Sequence, residues 1–148
     1  MEEIIFDIDS NSPKETAEFA KKLAHSVLPG SVYTLNGDLG VGKTVFTQGF
    51  AEGLGIDDVV CSPTFTIVQI YEEGRIPLYH FDVYRIGDSS EMEETGFDDY
   101  ISGDGVCLIE WAELISDILP REYYSVCISK DLSKGFDFRK IVVKHIKE

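Results

Sequence analysis

Val32-Tyr33-Thr34-Leu35, then Gly37-Asp38-Leu39-Gly40-Val41-Gly42-Lys43-Thr44, then Phe46, Phe50 and Leu54 at four-residue spacing form the run that decides the fold. The first four residues read as a strand. The last three mark one face of a helix that Gly53 and Gly55 end. Between them stands a complete G-x-x-x-x-G-K-S/T motif in the strand–loop–helix context it requires. Its glycines let the backbone curl until several N–H groups face one point, and the helix start adds a favourable dipole, so the loop is built to cradle phosphate. In that chemistry Lys43 reaches the β- and γ-phosphates and the Thr44 hydroxyl ligates Mg²⁺. Asp38, Leu39, Gly40, Val41, Gly42, Lys43, Thr44 and Val45 are the candidate nucleotide-binding residues. A glycine-rich turn that binds nothing fits poorly, because motif and context are both complete.

Working outward, residues 3–8 read as a short strand. Ser12-Pro13-Lys14-Glu15 reads as a helix start, with a capping serine, proline at the first helical position and Glu15 closing a capping box. Ala17, Ala20, Ala24, Val27 and Leu28 give that helix an apolar stripe, and Pro29-Gly30 ends it. Downstream, Val59–Cys61 is a candidate strand, and residues 66–82 read as a hairpin with Glu73-Gly74 at the turn. The continuous apolar run Val106–Ile109 is expected of a strand buried on both faces. Ala112–Leu119 reads as a short helix stopped by Pro120, and residues 123–129 and 138–143 as two late strands. The expectation is a single α/β domain over residues 1–148, with a mixed parallel and antiparallel sheet flanked by helices.

A phosphate loop needs acidic groups at the ends of neighbouring strands. Leu78-Tyr79-His80-Phe81-Asp82 and Val106-Cys107-Leu108-Ile109-Glu110 both end in one. Either carboxylate can bind Mg²⁺, directly or through water, while the other orients the attacking water. Each is otherwise a plain strand-end charge. Ser62-Pro63-Thr64-Phe65 lies where a switch segment would sense Mg²⁺ and the γ-phosphate through Thr64, or it is a turn fixed by Pro63. His80 reads as a buried, hydrogen-bonded histidine.

The 148 residues suffice for one core, and 43% hydrophobic with 27% charged residues is an ordinary globular mix. Thirteen Lys and Arg against 27 Asp and Glu give a net charge of −14. Six of the basic residues lie in 130–148, so residues 1–129 carry seven basic against 24 acidic ones, a balance of −17. That argues against strong direct binding to nucleic acid, which needs a basic face. Residues 88–104 hold seven carboxylates and no Lys or Arg, either a solvated face or a docking surface for a basic partner. Cys61, Cys107 and Cys127 are odd in number and lack C-x-x-C spacing, so each reads as a small buried hydrophobe. No apolar run approaches a membrane span, and Met1-Glu2-Glu3 lacks a basic signal region, so a cytoplasmic location is expected.

Four blocks together resemble the bacterial TsaE (YjeE) ATPase family: Gly37–Thr44, Ser62-Pro63-Thr64-Phe65-Thr66, His80-Phe81-Asp82-Val83-Tyr84-Arg85 and Ile109-Glu110-Trp111. They run in order over residues 37–113, about half the chain. The resemblance implies an ATPase that serves threonylcarbamoyladenosine formation in tRNA, beside the anticodon. It implies work with TsaB-like and TsaD-like partners, the latter carrying out the transfer. ATP or ADP and Mg²⁺ are the implied ligands. By position it implies that Lys43, Asp82, Glu110 and Thr64 are catalytic, that Thr44 and Glu110 hold the metal, and that Trp111 lies near the nucleotide. Trp111 otherwise serves as a packing anchor. Where the family often continues Glu-Trp-Pro-Glu, this chain has Ala112, which alters only the first helical turn. Two other readings remain at this point. A small-molecule kinase would want an arginine-rich lid, and this chain has only Arg75, Arg85, Arg121 and Arg139. A nucleotide-dependent binding switch needs no turnover at all.

Overall fold

Val32, Tyr33, Thr34 and Leu35 are all buried, as is every residue of Val106–Glu110. In the computed structural model, which describes residues 1–38, 40–58, 60 and 67–148, these two segments are central parallel neighbours. The strands are β1 (Glu2–Ser10), β2 (Val32–Asn36), β3 (Val68–Tyr71), β4 (Leu78–Asp82), β5 (Val106–Glu110), β6 (Glu122–Lys130) and β7 (Arg139–Lys147). They form one sheet in the order β1-β7-β6-β2-β5-β4-β3. The β6-β2-β5-β4 centre is parallel, while β1-β7, β6-β7 and β3-β4 are antiparallel. This is the mixed sheet that the sequence predicts, with the hairpin at β3-β4. The candidate strand at 59–61 falls largely outside the described residues.

Alternation along the strands divides the core in two. Tyr33, Leu35, Leu78, Val106, Leu108, Val126 and Ile128 pack beneath helices α1 (Pro13–His25) and α2 (Lys43–Gly53). Val32, Phe81, Cys107 and Ile109 pack on the opposite face with Met92, Phe97 and Ile115. The two helices meet closely because α2 places Gly49 and Gly53 one turn apart against α1. A β-carbon at Gly49 would strike the Ala17 backbone, and one at Gly53 would strike that of Lys21. Helix α1 starts as expected. Ser12 Oγ accepts from the Glu15 amide at 3.2 Å, while Glu15 Oε1 accepts from the Asn11 amide instead of the cap residue's own. Arg75 closes the other end, donating to the Ala24 and Val27 carbonyls at 2.6 and 2.8 Å.

One expectation is filled in and one needs correction. The acidic segment 88–104 exposes its carboxylates, as either reading of it requires, on a 3₁₀ turn (Ser89–Thr95) and a short helix, α3 (Phe97–Ile101), anchored by buried Met92 and Phe97. Residues Ala112–Ile118 form 3₁₀ turns broken at Ile115, whose φ of −126° is not helical. Buried Ala112 and Ile115 hold the segment to the sheet, so packing overrides its local helical preference. Among the described residues, no helix is long and apolar enough to cross a membrane.

Candidate active site

The parallel strands deliver their carboxyl ends to one edge. Asp82 is in register with Glu110 across β4-β5, and Leu35, just before the glycine-rich loop 37–42, is in register with Glu110 across β2-β5. The chain leaves β2 toward β4 on one side, while β6 flanks β2 on the other. Crevices at such a switch point are where open α/β sheets bind ligands. His80, Asp82 and Glu110 share the sheet face of Leu78 and Leu108, the face that carries α2.

Helix α2 begins at Lys43, capped by Gly42 in the left-handed conformation with φ 104° and no side-chain cap, so the first amides of the helix have no internal acceptor. Glycine takes this conformation without the strain a side chain would bring. Gly40, Gly42, Lys43, Thr44, Val45, Asp82, Glu110 and Trp111 line a single cleft of about 340 Å³. Lys43 Nζ lies 3.9 Å from Glu110 Oε1 and 4.7 Å from the centre of the Trp111 ring, a cation–π distance. On its other oxygen, Glu110 Oε2 meets His80 Nε2 at 2.7 Å. Asp82 Oδ1 accepts from the Tyr84 amide at 3.0 Å. Burial raises the Asp82 carboxyl above the ordinary aspartate value. Glu110 adds to the rise, while the Tyr84 amide, His80 and Lys43 oppose it.

Trp111 adopts φ 64° and ψ 32°, and it is the only non-glycine residue with positive φ among the described residues. This turn carries the chain sharply away from the end of β5, so that the indole faces Lys43 and packs on Tyr84, with ring centres 4.7 Å apart. Nothing in the sequence marks a left-handed tryptophan.

The expected site residues are thus mostly together, with exceptions. Asp38 lies in a neighbouring cleft lined by Asn36, Gly37, Val41 and Cys127 on the β6 side. Val41 lines that second cleft and not the one that holds Lys43, and its side chain is buried. Leu39 and Thr64 lie outside the described residues, as does Cys61. Cys107 is buried as expected, but Cys127 is only half-buried, because it stands beside that second cleft. Sequence reasoning missed Arg139, which reaches the glycine-rich loop 37–42 from β7 by donating to the Val41 carbonyl at 2.8 Å. The two residues are 98 apart, and no local motif announces the contact.

The model of the family described as threonylcarbamoyl adenosine biosynthesis protein TsaE matches residues 10–140. A Bacillus subtilis tRNA threonylcarbamoyladenosine biosynthesis protein TsaE is 53% identical over 130 residues, which cover 88% of this chain and 79% of the relative. The protein of the same name from Treponema pallidum is 42% identical over 120 residues, 81% of this chain and 87% of the relative. The crystal structure of YdiB from B. subtilis superposes with a TM-score of 0.81 at 42% identity, over 99% of this chain and 88% of that one.

Proposed function

The chain belongs to the TsaE family of threonylcarbamoyladenosine biosynthesis proteins, and from that premise we propose that it is a Mg²⁺-dependent ATP hydrolase acting with a TsaB-like and TsaD-like pair in tRNA modification. The observation that carries the proposal is one cleft holding Lys43, Thr44, Asp82 and Glu110 above a left-handed glycine loop. A β-carbon at Gly42 would meet nothing within 4 Å, so the space over the loop is open to phosphate oxygens. The donors suit a hard cation that prefers oxygen: one hydroxyl and two carboxylates. Among the described residues, no three His, Cys, Asp or Glu are grouped to hold a metal by themselves. Mg²⁺ keeps waters and phosphate oxygens in its shell and needs few protein ligands.

In this reading, the loop amides and Lys43 hold the β- and γ-phosphates. Thr44 and Glu110 would hold Mg²⁺, whose charge offsets that of the transferred phosphoryl group. Asp82 stands beside Glu110 to orient the attacking water, and its raised pKa suits a group that handles protons. His80 fixes Glu110. The Lys43–Glu110 ion pair is long, and a bound phosphate and cation would each take one partner. Thr64, Leu39 and Trp111 complete the expected nucleotide contacts, ATP before turnover and ADP after it. The balance of −14 disfavours direct capture of tRNA, so the partners bring the substrate.

Phosphate release from ATP tests this reading, measured for the protein alone and with the TsaB–TsaD pair. Slow release alone and faster release with the pair are expected. Absence of release in the presence of Mg²⁺ and both partners would refute it, and tight tRNA binding by the isolated chain would remove the partner-delivery argument.

A further inference from the structure

The basic C-terminal stretch does not spread over the surface as one patch. Antiparallel pairing of β6 and β7 sets Lys130 opposite Arg139, and both stand at the end of that hairpin facing the phosphate loop. A β-carbon at Gly40 would lie 3.7 Å from Lys130 Nζ. Arg139 goes further and binds the loop itself. Its Nε donates to the Val41 carbonyl at 2.8 Å, and one terminal nitrogen reaches the Gly40 carbonyl at 3.4 Å. The other terminal nitrogen donates to the Phe136 and Phe138 carbonyls at 3.0 and 2.8 Å, fixing the guanidinium to its own hairpin.

We propose that Arg139 is the positioning residue of the phosphate loop, holding the Val41–Gly42 peptide so that its amide faces the ligand. The proposal rests on the nucleotide-binding reading above. Within a trans peptide, the carbonyl and the next N–H point in opposite directions. A carbonyl held outward on Arg139 therefore sends the Gly42 N–H to the other side, toward the cleft. The restraint is needed because Val41 stands between two left-handed glycines, Gly40 at φ 79° and Gly42 at φ 104°. Of the two, Gly42 bears on the Val41–Gly42 peptide, which turns about ψ of Val41 and φ of Gly42; glycine takes up the change in φ at little cost, and a flip would present a carbonyl oxygen to a phosphate oxygen. Val41 itself is pinned by its buried side chain, so the plane of the following peptide is what remains to be set. The planar guanidinium has enough donors to bridge hairpin and loop at once, which a lysine ammonium on a flexible stem does not reproduce.

The test compares ADP affinity of wild type, R139A, R139K and K130A by calorimetry, together with the ¹⁵N–¹H resonance of Gly42 on titration with ADP. Both Arg139 variants are expected to lose at least about tenfold in affinity, the scale of losing a charge-assisted hydrogen bond. K130A, which removes one cation from the same hairpin end, should change affinity by less than about twofold because exposed charges are screened. The Gly42 amide should shift on ADP binding in wild type, and shift less in R139K at saturating ADP. R139K keeps the stem and the charge, so it is read if R139A does not fold. Wild-type affinity in R139K, or equal losses in R139A and K130A, would overturn the proposal by reducing Arg139 to a charge. A wild-type chain that binds no ADP would instead overturn the nucleotide-binding reading, and this proposal with it.

Discussion

His80 Nε2 lies 2.7 Å from Glu110 Oε2, joining the middle of β4 to the end of β5 on the face beneath α2. Both side chains are buried, and the bond holds Glu110 from the core side while the carboxylate also lines the cleft. Lys43 approaches the other oxygen, leaving the carboxylate held on both sides. Replacing His80 with alanine is expected to cost about 2 kcal/mol of stability, the scale of a buried hydrogen bond to a charged group. It should also lower kcat more than it raises KM for ATP. Chemical denaturation and steady-state kinetics on the same preparation check both. A variant with wild-type kcat would reduce His80 to packing.

Lys43→Ala and Glu110→Gln separate binding from turnover. Lys43 serves the cleft and not the core, so Lys43→Ala should stay folded and lose ATP affinity and turnover by about two to three orders of magnitude, the usual cost of a preorganised charge donor. Glu110→Gln keeps shape and loses charge, so it should retain nucleotide while turnover falls by a similar factor. Equilibrium binding beside phosphate release distinguishes the two. Unchanged turnover in Glu110→Gln would leave Asp82 as the acting carboxylate.

Trp111 reports on the cleft without labelling, because the chain has one tryptophan. Its ring centre is 4.7 Å from Lys43 Nζ, and a phosphate that draws the ammonium away changes the indole's surroundings. Emission should therefore change on addition of ADP or ATP, and the change should vanish in Lys43→Ala. A spectrum indifferent to saturating nucleotide would make Trp111 a packing residue.

Asp82 carries a pH signature. Burial raises its folded-state pKa above the ordinary 3.8. The fold thus favours the protonated acid, and the stability this contributes is full below the ordinary value and lost as pH rises through the folded value. At neutral pH the wild type bears the cost of a half-buried charge, which Asp82→Asn removes while keeping an oxygen for the Tyr84 amide. Without nucleotide or Mg²⁺, Asp82→Asn should melt higher than wild type at pH 7, and the gap should close as pH falls below about 4, where both carry a neutral side chain. Turnover should fall in the same variant, a stability–function exchange. Thermal scans across pH decide it; equal melting at pH 7 would count against the burial argument.

Much of this was legible in the residues, for physical reasons. Val106–Ile109 reads as a doubly buried strand because both faces are covered and no polar residue interrupts it. The loop 37–44 reads from its motif, because a phosphate-binding loop requires glycine and lysine there for geometry and charge, and the structure gives it the left-handed glycines. Asp82 and Glu110 read as strand-end carboxylates, and the sheet register brings them together. In residues 88–104 the turn and the short helix did not read, because Met92 and Phe97 are single anchors among carboxylates and leave no periodicity. The left-handed Trp111 and the reach of Arg139 are tertiary outcomes with no local signature. The strand ends at β6 and β7 run longer than their apolar cores, since antiparallel pairing carries polar residues along.

The order of strands has a consequence for synthesis. β2 sits in the middle of the sheet, yet its two neighbours, β5 and β6, come from residues 106–110 and 122–130. A growing chain therefore exposes the whole phosphate motif while the strands that flank it, the carboxylate of Glu110 and the guanidinium of Arg139 are still untranslated. Parallel pairing across such separations is slow to form. The arginine that holds the loop thus arrives only with β7, and a chain stopped before β7 carries the residues of the cleft without that contact.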